Sequence, residues 1–121
     1  MNNKTTRLFI VGLVVALALA ACGGGGSSSV DVTLTVDNTF AYSPTTITAK
    51  VGQTVNVTVV NNGALEHTFL IDELGVNSGA IPAGQTAKVT FTASKEGTFS
   101  FYCNVAGHKE GGMVGTLTVN P

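Results

Sequence analysis

The stretch GTFSFYCNVAGHKEGGMVGTLTV, residues 97–119, consists of two alternating segments joined by a glycine-rich loop. In the first segment Phe99, Phe101 and Cys103 share one parity, and in the second segment every other position from Met113 to Val119 is apolar or small. Side chains of a β-strand point alternately to its two faces, so both segments predict strands with one buried face. If the two strands are neighbours, Cys103 and Met113 lie at the same end of the fold.

The same alternation recurs along most of the chain after residue 29. It is found in Val30–Val36, Ile47–Val51, Val55–Val59 and Val89–Ala93. Turn sequences such as Asn61-Asn62-Gly63 separate these segments, and the only helical element that the pattern allows is a short turn near Ile71–Gly79. About eight short strands predict an all-β fold, a two-sheet β-sandwich in which we expect antiparallel sheets.

The N-terminal residues predict an export signal rather than part of this domain. Lys4 and Arg7 precede an apolar run, Leu8–Ala21, which is too short to span a bilayer comfortably. Leu19-Ala20-Ala21-Cys22 resembles the bacterial lipobox, in which the signal is cut before a cysteine that carries diacylglycerol. The alternative is an ordinary small-residue cleavage site beside an unrelated cysteine.

The lipobox resemblance divides the chain into three parts. Residues 1–21 are the lipoprotein signal peptide, residues 22–29 the lipidated Cys22 with a glycine and serine tether, and residues 30–121 the folded domain. A tether of this composition is a flexible coil with a typical end-to-end distance of roughly 15 Å. The expected location is the extracytoplasmic face of a bacterial cell membrane, periplasmic or on the cell surface, with the lipid on Cys22 as anchor.

Charge and cysteine content restrict the partners. The full chain has a formal net charge of −1, and removal of Lys4 and Arg7 with the signal gives −1 − 2 = −3. The remaining chain has four lysines and no arginine, which argues against nucleic acid as a partner. Cys103 would be the only free thiol of an exported domain, so it is buried and inert, bonded to another chain, or bound to a ligand.

A second histidine completes a candidate metal site. Cys103, His108 and Met113 are spaced at equal intervals of five. His67, the only other histidine, opens a predicted strand whose inward positions are His67, Phe69 and Ile71. One thiolate, two imidazoles and one thioether form the ligand set of a type 1 copper site. Taken singly, a buried cysteine or methionine is usually core and a loop histidine usually solvated. Their coincidence at one end of a sandwich favours the metal site.

The segment from Val30 to Asn120 resembles the cupredoxins, the small blue copper proteins that include plastocyanin and azurin. The Cys-x4-His-x4-Met spacing is similar to that of auracyanin and rusticyanin, and EHTFLIDELGV (66–76) and KEGTFSFYC (95–103) also resemble bacterial members. The resemblance implies an eight-stranded Greek-key sandwich that binds one type 1 copper at one end. The implied ligands are His67 and His108 through Nδ1, the thiolate of Cys103 and, as a weak axial ligand, Met113.

Three features of the resemblance bear on electron transfer. His108 would be the exit edge for the electron, among small residues and an uncharged docking patch of Ala64, Leu65, Ile81 and Pro82. Tyr102 matches the tyrosine–cysteine pair that marks a second electron route in plastocyanin, although it could equally be an outward strand aromatic. Many members have an asparagine after the first histidine that ties the two ligand loops together. This chain has Thr68 there, and the sequence leaves open whether its hydroxyl replaces that bond.

These observations predict a membrane-tethered blue copper protein that is not an enzyme but a one-electron carrier. The expected partners are redox proteins, either cytochromes or membrane electron-transfer complexes, and we expect the domain to be monomeric. Two alternatives stay open: a copper-handling or copper-storage lipoprotein, and a metal-free immunoglobulin-like binding module.

Overall fold

The computed structural model describes residues 28–121, so the predicted signal peptide and all but the end of the predicted tether lie outside the described residues. The elements, in chain order, are β1 (Ser29–Val36), β2 (Tyr42–Ser43), β3 (Thr46–Lys50), β4 (Thr54–Asn61), β5 (Leu70–Ile71), a 3-10 turn (Asp72–Leu74), β6 (Val76–Asn77), β7 (Thr86–Thr92), β8 (Gly97–Tyr102) and β9 (Val114–Asn120). The first strand begins at Ser29, one residue before the expected start of the domain. None of the helices among these residues has the length and apolarity needed to cross a membrane.

The strands form two sheets, which confirms the predicted all-β sandwich. One sheet has the order β2-β1-β4-β7 and the other the order β3-β9-β8-β5-β6. The nine strands of residues 28–121 exceed the expected eight because three of them are only two residues long. The expected helical turn is present as the 3-10 turn between β5 and β6.

The expectation of purely antiparallel sheets was wrong. β1 runs parallel to β4, and β3 runs parallel to β9, while the other pairs are antiparallel. β2 runs antiparallel to β1 in the first sheet. The chain then crosses to the second sheet and keeps the direction of β2, where it forms β3. β4 therefore returns to the first sheet in the direction of β1. The alternation of apolar and polar residues does not indicate at which point the chain changes sheets.

The core contains the inward residues of both sheets, and three of its aromatic rings pack together. Tyr42, Phe69 and Phe101 are each at most 1% exposed and contact one another, with ring centroids 5.1 to 6.0 Å apart. Gly115 provides the space for this cluster, because a Cβ atom there would lie only 2.1 Å from the ring of Phe101. The missing side chain of Gly115 thus determines how closely β9 packs on the aromatic rings.

The sandwich has two distinct ends. At the ligand end, β1 and β4 finish at Val36 and Asn61, β8 finishes at Tyr102, and β9 begins. At the tether end, Ser29 pairs with Thr54, and the chain enters the domain. The four predicted ligands all belong to the ligand end.

Candidate metal centre

The loop from Asn104 to Gly112 folds back on itself and joins three of the predicted ligands through the backbone. The N–H of Cys103 donates to the carbonyl of Met113 (3.2 Å), and the N–H of Met113 donates to the carbonyl of His108 (3.0 Å). Gly107 and Gly112 have φ values of 83° and 102°, in the left-handed region that glycine adopts without strain. These glycines therefore let the loop close.

His67 reaches the same place from the other side of the ligand end. It forms an isolated antiparallel bridge with Ile81, through hydrogen bonds of 3.2 and 2.8 Å. The buried side chain of Asn61 fixes this segment: its Nδ2 donates to the carbonyls of Leu65 (2.8 Å) and Ile81 (2.9 Å), and its Oδ1 accepts from the N–H of Gly63 (3.0 Å). The loop that carries His67 is thus held by three hydrogen bonds of one buried amide.

The donor atoms of His67, Cys103 and His108 converge within 4.8 Å of one another. The Sγ of Cys103 lies 3.5 Å from the Nδ1 of His108, and the two imidazole rings have centroids 4.9 Å apart. His67, Cys103 and Met113 are fully buried, and His108 is 6% exposed. The structure therefore brings together the predicted side chains that come from distant parts of the sequence.

The state of His67 indicates that this cluster is built for a ligand. Both of its ring nitrogens are buried, and neither has a hydrogen-bond partner among the described residues. Buried polar groups without partners cost free energy and are rare in native proteins. Burial, together with the nearby His108, lowers the pKa of His67, against an opposing effect of Asp37, and so favours the neutral, metal-binding imidazole. Two imidazoles, a thiol and a thioether match the preference of copper for nitrogen and soft sulfur donors.

Thr68 answers the question that the sequence left open about the two ligand loops. Its Oγ1 accepts a hydrogen bond from the N–H of Asn104 (2.9 Å) and lies 2.8 Å from the Oδ1 of Asn104, to which it can donate. The backbone N–H of Thr68 also donates to the Sγ of Cys103 (3.4 Å). Thr68 therefore ties the segment of His67 to the segment of Cys103.

Three residues that support the site were not identified from the sequence. Asn61 holds the loop of His67, and the hydroxyl of Tyr42 donates to the carbonyl of Thr68 (2.6 Å). Phe40 packs its ring against His108 with centroids 4.5 Å apart. Phe40 has a φ of 55°, uncommon for a residue other than glycine, which could be known only from the folded backbone.

The predicted docking patch is present only in part. Leu65 is 43% exposed and Pro82 is exposed, but Ile81 is 1% exposed. Ile81 is buried because its bridge to His67 turns its side chain into the core. Ile81 therefore holds His67 through its backbone and is not part of the exposed surface.

Tyr102 lies on the outer face of β8 and is half-buried. Its hydroxyl donates to the carboxylate of Asp72 (2.9 Å), and the Nζ of Lys109 lies 4.2 Å from the centre of its ring. The hydrogen bond to Asp72 is the main cause that raises the pKa of Tyr102, with smaller contributions from burial and from the charges of Asp72 and Glu73.

Residues 9–119 match the sequence profile of the cupredoxin-like domain. The chain belongs to the cupredoxin-like family. This confirms the resemblance seen in the sequence, and the cofactor of such a domain is one type 1 copper. The burial, the donor set and the unpartnered nitrogens of His67 are consistent with that cofactor.

Known cupredoxins and related copper proteins resemble this chain over most of the described residues. Plastocyanin A/B of Petroselinum crispum is 35% identical over 69% of this chain and 92% of its own length. The copper-resistant cuproprotein CopI of Rubrivivax gelatinosus is 30% identical over 73% of this chain, and the match spans 65% of that protein. The crystal structure of reduced auracyanin from Roseiflexus castenholzii has a TM-score of 0.67 at 27% identity, covering 79% of this chain and all of that one.

Proposed function

We propose that this cupredoxin is a one-electron carrier outside the cytoplasmic membrane, tethered to it by a lipid on Cys22. The proposed copper ligands are His67, Cys103, His108 and Met113. The observation that carries the proposal is the convergence of three buried donor groups within 4.8 Å, with both nitrogens of His67 unpartnered.

The composition of the site supports a carrier rather than an enzyme. Catalytic metals keep a coordination position open for substrate, whereas the proposed site has four protein ligands, all of them almost completely buried. The sequence contains only two histidines, too few to bind the additional coppers of oxidases or nitrite reductases. Bound copper supplies a single electron, and the protein holds the donors in place and excludes water from them.

His108 is the proposed exit edge for the electron. It is the only one of the four proposed ligands with measurable exposure, and Phe40 and Leu65 lie on the surface of the same end. An apolar side chain such as that of Leu65 can be buried against a partner without the desolvation cost of a charge. Leu65 is thus a residue through which a partner would dock.

Electron self-exchange between two copies of the protein tests this docking surface without a known partner. We expect Leu65→Asp to slow self-exchange severalfold, because each encounter would bury or oppose two new carboxylates. Val51→Asp is the matched control, since Val51 is 46% exposed but lies at the tether end. Equal rates for Leu65→Asp and the unaltered protein would contradict the assignment of this surface.

Tyr102 is a candidate second route for the electron. Tyr102 directly precedes Cys103 in sequence, and Asp72 and Glu73 beside its ring are exposed acidic residues. This surface favours a cationic redox protein, such as a basic cytochrome, as partner. If Tyr102 takes part, Asp72→Asn should slow electron transfer to a basic cytochrome and flatten its dependence on salt.

Copper handling is a second candidate function. It is favoured by the similarity to the protein named copper-resistant cuproprotein, which extends over 73% of this chain. A handling protein would transfer copper readily to an acceptor, whereas a carrier would retain it through many redox cycles. Deletion of the gene with growth in elevated copper, combined with the rate of Cu(I) loss to a chelator, distinguishes the two functions.

A further inference from the structure

The structure fixes where the tether joins the domain relative to the proposed copper site. We infer that the tether holds the copper-bearing end away from the membrane, so that redox partners must meet it from the aqueous side. This inference rests on the proposed lipidation of Cys22. The corresponding partner is a soluble redox protein, or one whose redox centre protrudes well beyond the bilayer.

The chain enters the domain at the end opposite the metal centre. Ser28 is held there by two contacts: its carbonyl accepts from the N–H of Thr54 (3.2 Å), and its Oγ accepts from the Nε2 of Gln53 (2.8 Å). From Ser29 the chain runs the full length of β1 to Val36, which is seven steps or about 23 Å at roughly 3.3 Å per residue. The loops that carry the metal ligands lie beyond Val36.

The connection to Cys22 is too short to allow the opposite orientation. From Cys22 to Ser28 there are 28 − 22 = 6 steps, which reach at most about 22 Å even when fully extended. For the ligand end to lie flat on the bilayer, this segment would have to run back along the whole side of the domain and past its loops. The covalent reach therefore excludes that orientation, whatever conformation the connecting residues adopt.

The charge distribution acts in the same direction. Of the seven acidic residues, five belong to the ligand end or flank Tyr102, namely Asp37, Glu66, Asp72, Glu73 and Glu110. Lys109 is the only lysine among them, which gives this side 1 − 5 = −4. At the tether end lie Lys50, Lys95 and Glu96, which give this end 2 − 1 = +1. An anionic lipid surface repels the acidic end electrostatically but does not repel the tether end.

Energy transfer from a single tryptophan to the membrane tests the orientation, because the chain contains no tryptophan of its own. Val51→Trp and Leu65→Trp place the probe at the tether end and at the ligand end, at positions of similar exposure. Each full-length lipoprotein is purified from membranes, loaded with Cu(I), and reconstituted into vesicles that contain a dansyl-headgroup lipid. We expect severalfold more transfer from Trp at position 51 than from Trp at position 65. Retention of the Cu(II) visible spectrum by both variants confirms that each one folds.

A variant with twenty additional glycine and serine residues after Cys22 provides the control. Its reach exceeds the length of the domain, so the difference between the two probe positions should shrink. Equal or greater transfer from position 65 with the native tether would overturn the inferred orientation while leaving the anchor intact. Failure of the protein to float with vesicles, with no lipid on Cys22 by mass spectrometry, would instead overturn the proposed tether and the orientation with it.

Discussion

Thr68 and Asn104 are joined by two hydrogen bonds at the Thr68 hydroxyl. Its Oγ1 accepts from the backbone N–H of Asn104 (2.9 Å) and donates to the side-chain Oδ1 of Asn104 (2.8 Å). The same hydroxyl lies 3.6 Å from the Sγ of Cys103. Because a hydroxyl carries one proton, donation to Asn104 competes with donation to the sulfur. Thr68 therefore both connects the two ligand loops and can influence the charge on the thiolate.

The connection between the loops should contribute measurably to stability. Thr68→Val removes both contacts and leaves the Asn104 N–H without its partner, so we expect the free energy of unfolding of the copper-free protein to fall by about 1–3 kcal/mol. Denaturant titration measures this change. Thr33→Val, on the exposed face of β1, is the matched control and should change the stability little. Equal effects of the two substitutions would show that the Thr68–Asn104 pair does not hold the loops together.

The competition for the Thr68 proton predicts opposite changes in reduction potential. A hydrogen bond to the cysteine sulfur withdraws negative charge from the metal and favours the reduced state. Asn104→Ala frees the hydroxyl to turn toward the sulfur and should raise the potential, whereas Thr68→Val should lower it. Voltammetry of both holoproteins measures the shifts. Changes of the same sign would refute the competition.

Phe40 should slow the loss of copper. Its ring covers His108, the most exposed of the proposed ligands, so Phe40→Ala opens a path for solvent and for chelators. We expect Cu(I) transfer to a chelator to become severalfold faster. Phe91→Ala is the control, because Phe91 is also half-buried but lies near the tether end of β7. A release rate that does not depend on Phe40 would mean that the ring does not gate His108.

Tyr102 should titrate above its ordinary pKa of 10.0 because its hydroxyl donates to the carboxylate of Asp72. The Tyr102 hydroxyl binds its proton more tightly in the folded state than in the unfolded state. Its contribution to the free energy of unfolding is therefore complete below pH 10 and is lost as the pH rises through the higher pKa of the folded state. Burial raises the pKa of Tyr42 much further, so the first tyrosinate absorbance to appear belongs to Tyr102.

Asp72→Asn should shift this first tyrosinate transition of the copper-free protein to lower pH, while Glu96→Gln at the far end should leave it unchanged. An unaltered transition in Asp72→Asn would show that the hydrogen bond does not form in solution.

The alternation of residues predicted the sandwich and the four side chains at one end, because pleat parity determines which residues face inward. It did not predict the parallel pairing of β1 with β4, which depends on the chain changing sheets after β2. It missed β2 and β6, since two-residue strands carry no period, and the strand expected to open at His67 is formed only as β5, Leu70–Ile71.

The supporting residues of the site could not be predicted for a different reason. Asn61 and Tyr42 act through backbone carbonyls that are 4 to 26 residues away, and only the fold brings these groups together. Thr68 was identified, but its partner Asn104 was not, because their pairing joins positions 36 residues apart. Sequence patterns report which face a side chain takes, whereas long-range hydrogen bonds depend on the completed topology.

The most direct test of the account is a titration of the purified, copper-free protein with Cu(II), followed by visible absorption. We predict an intense thiolate-to-copper band that saturates at one copper per chain and is absent from Cys103→Ser. Absence of the band from the unaltered protein, or its persistence in Cys103→Ser, would contradict the assignment of a type 1 copper site to His67, Cys103, His108 and Met113.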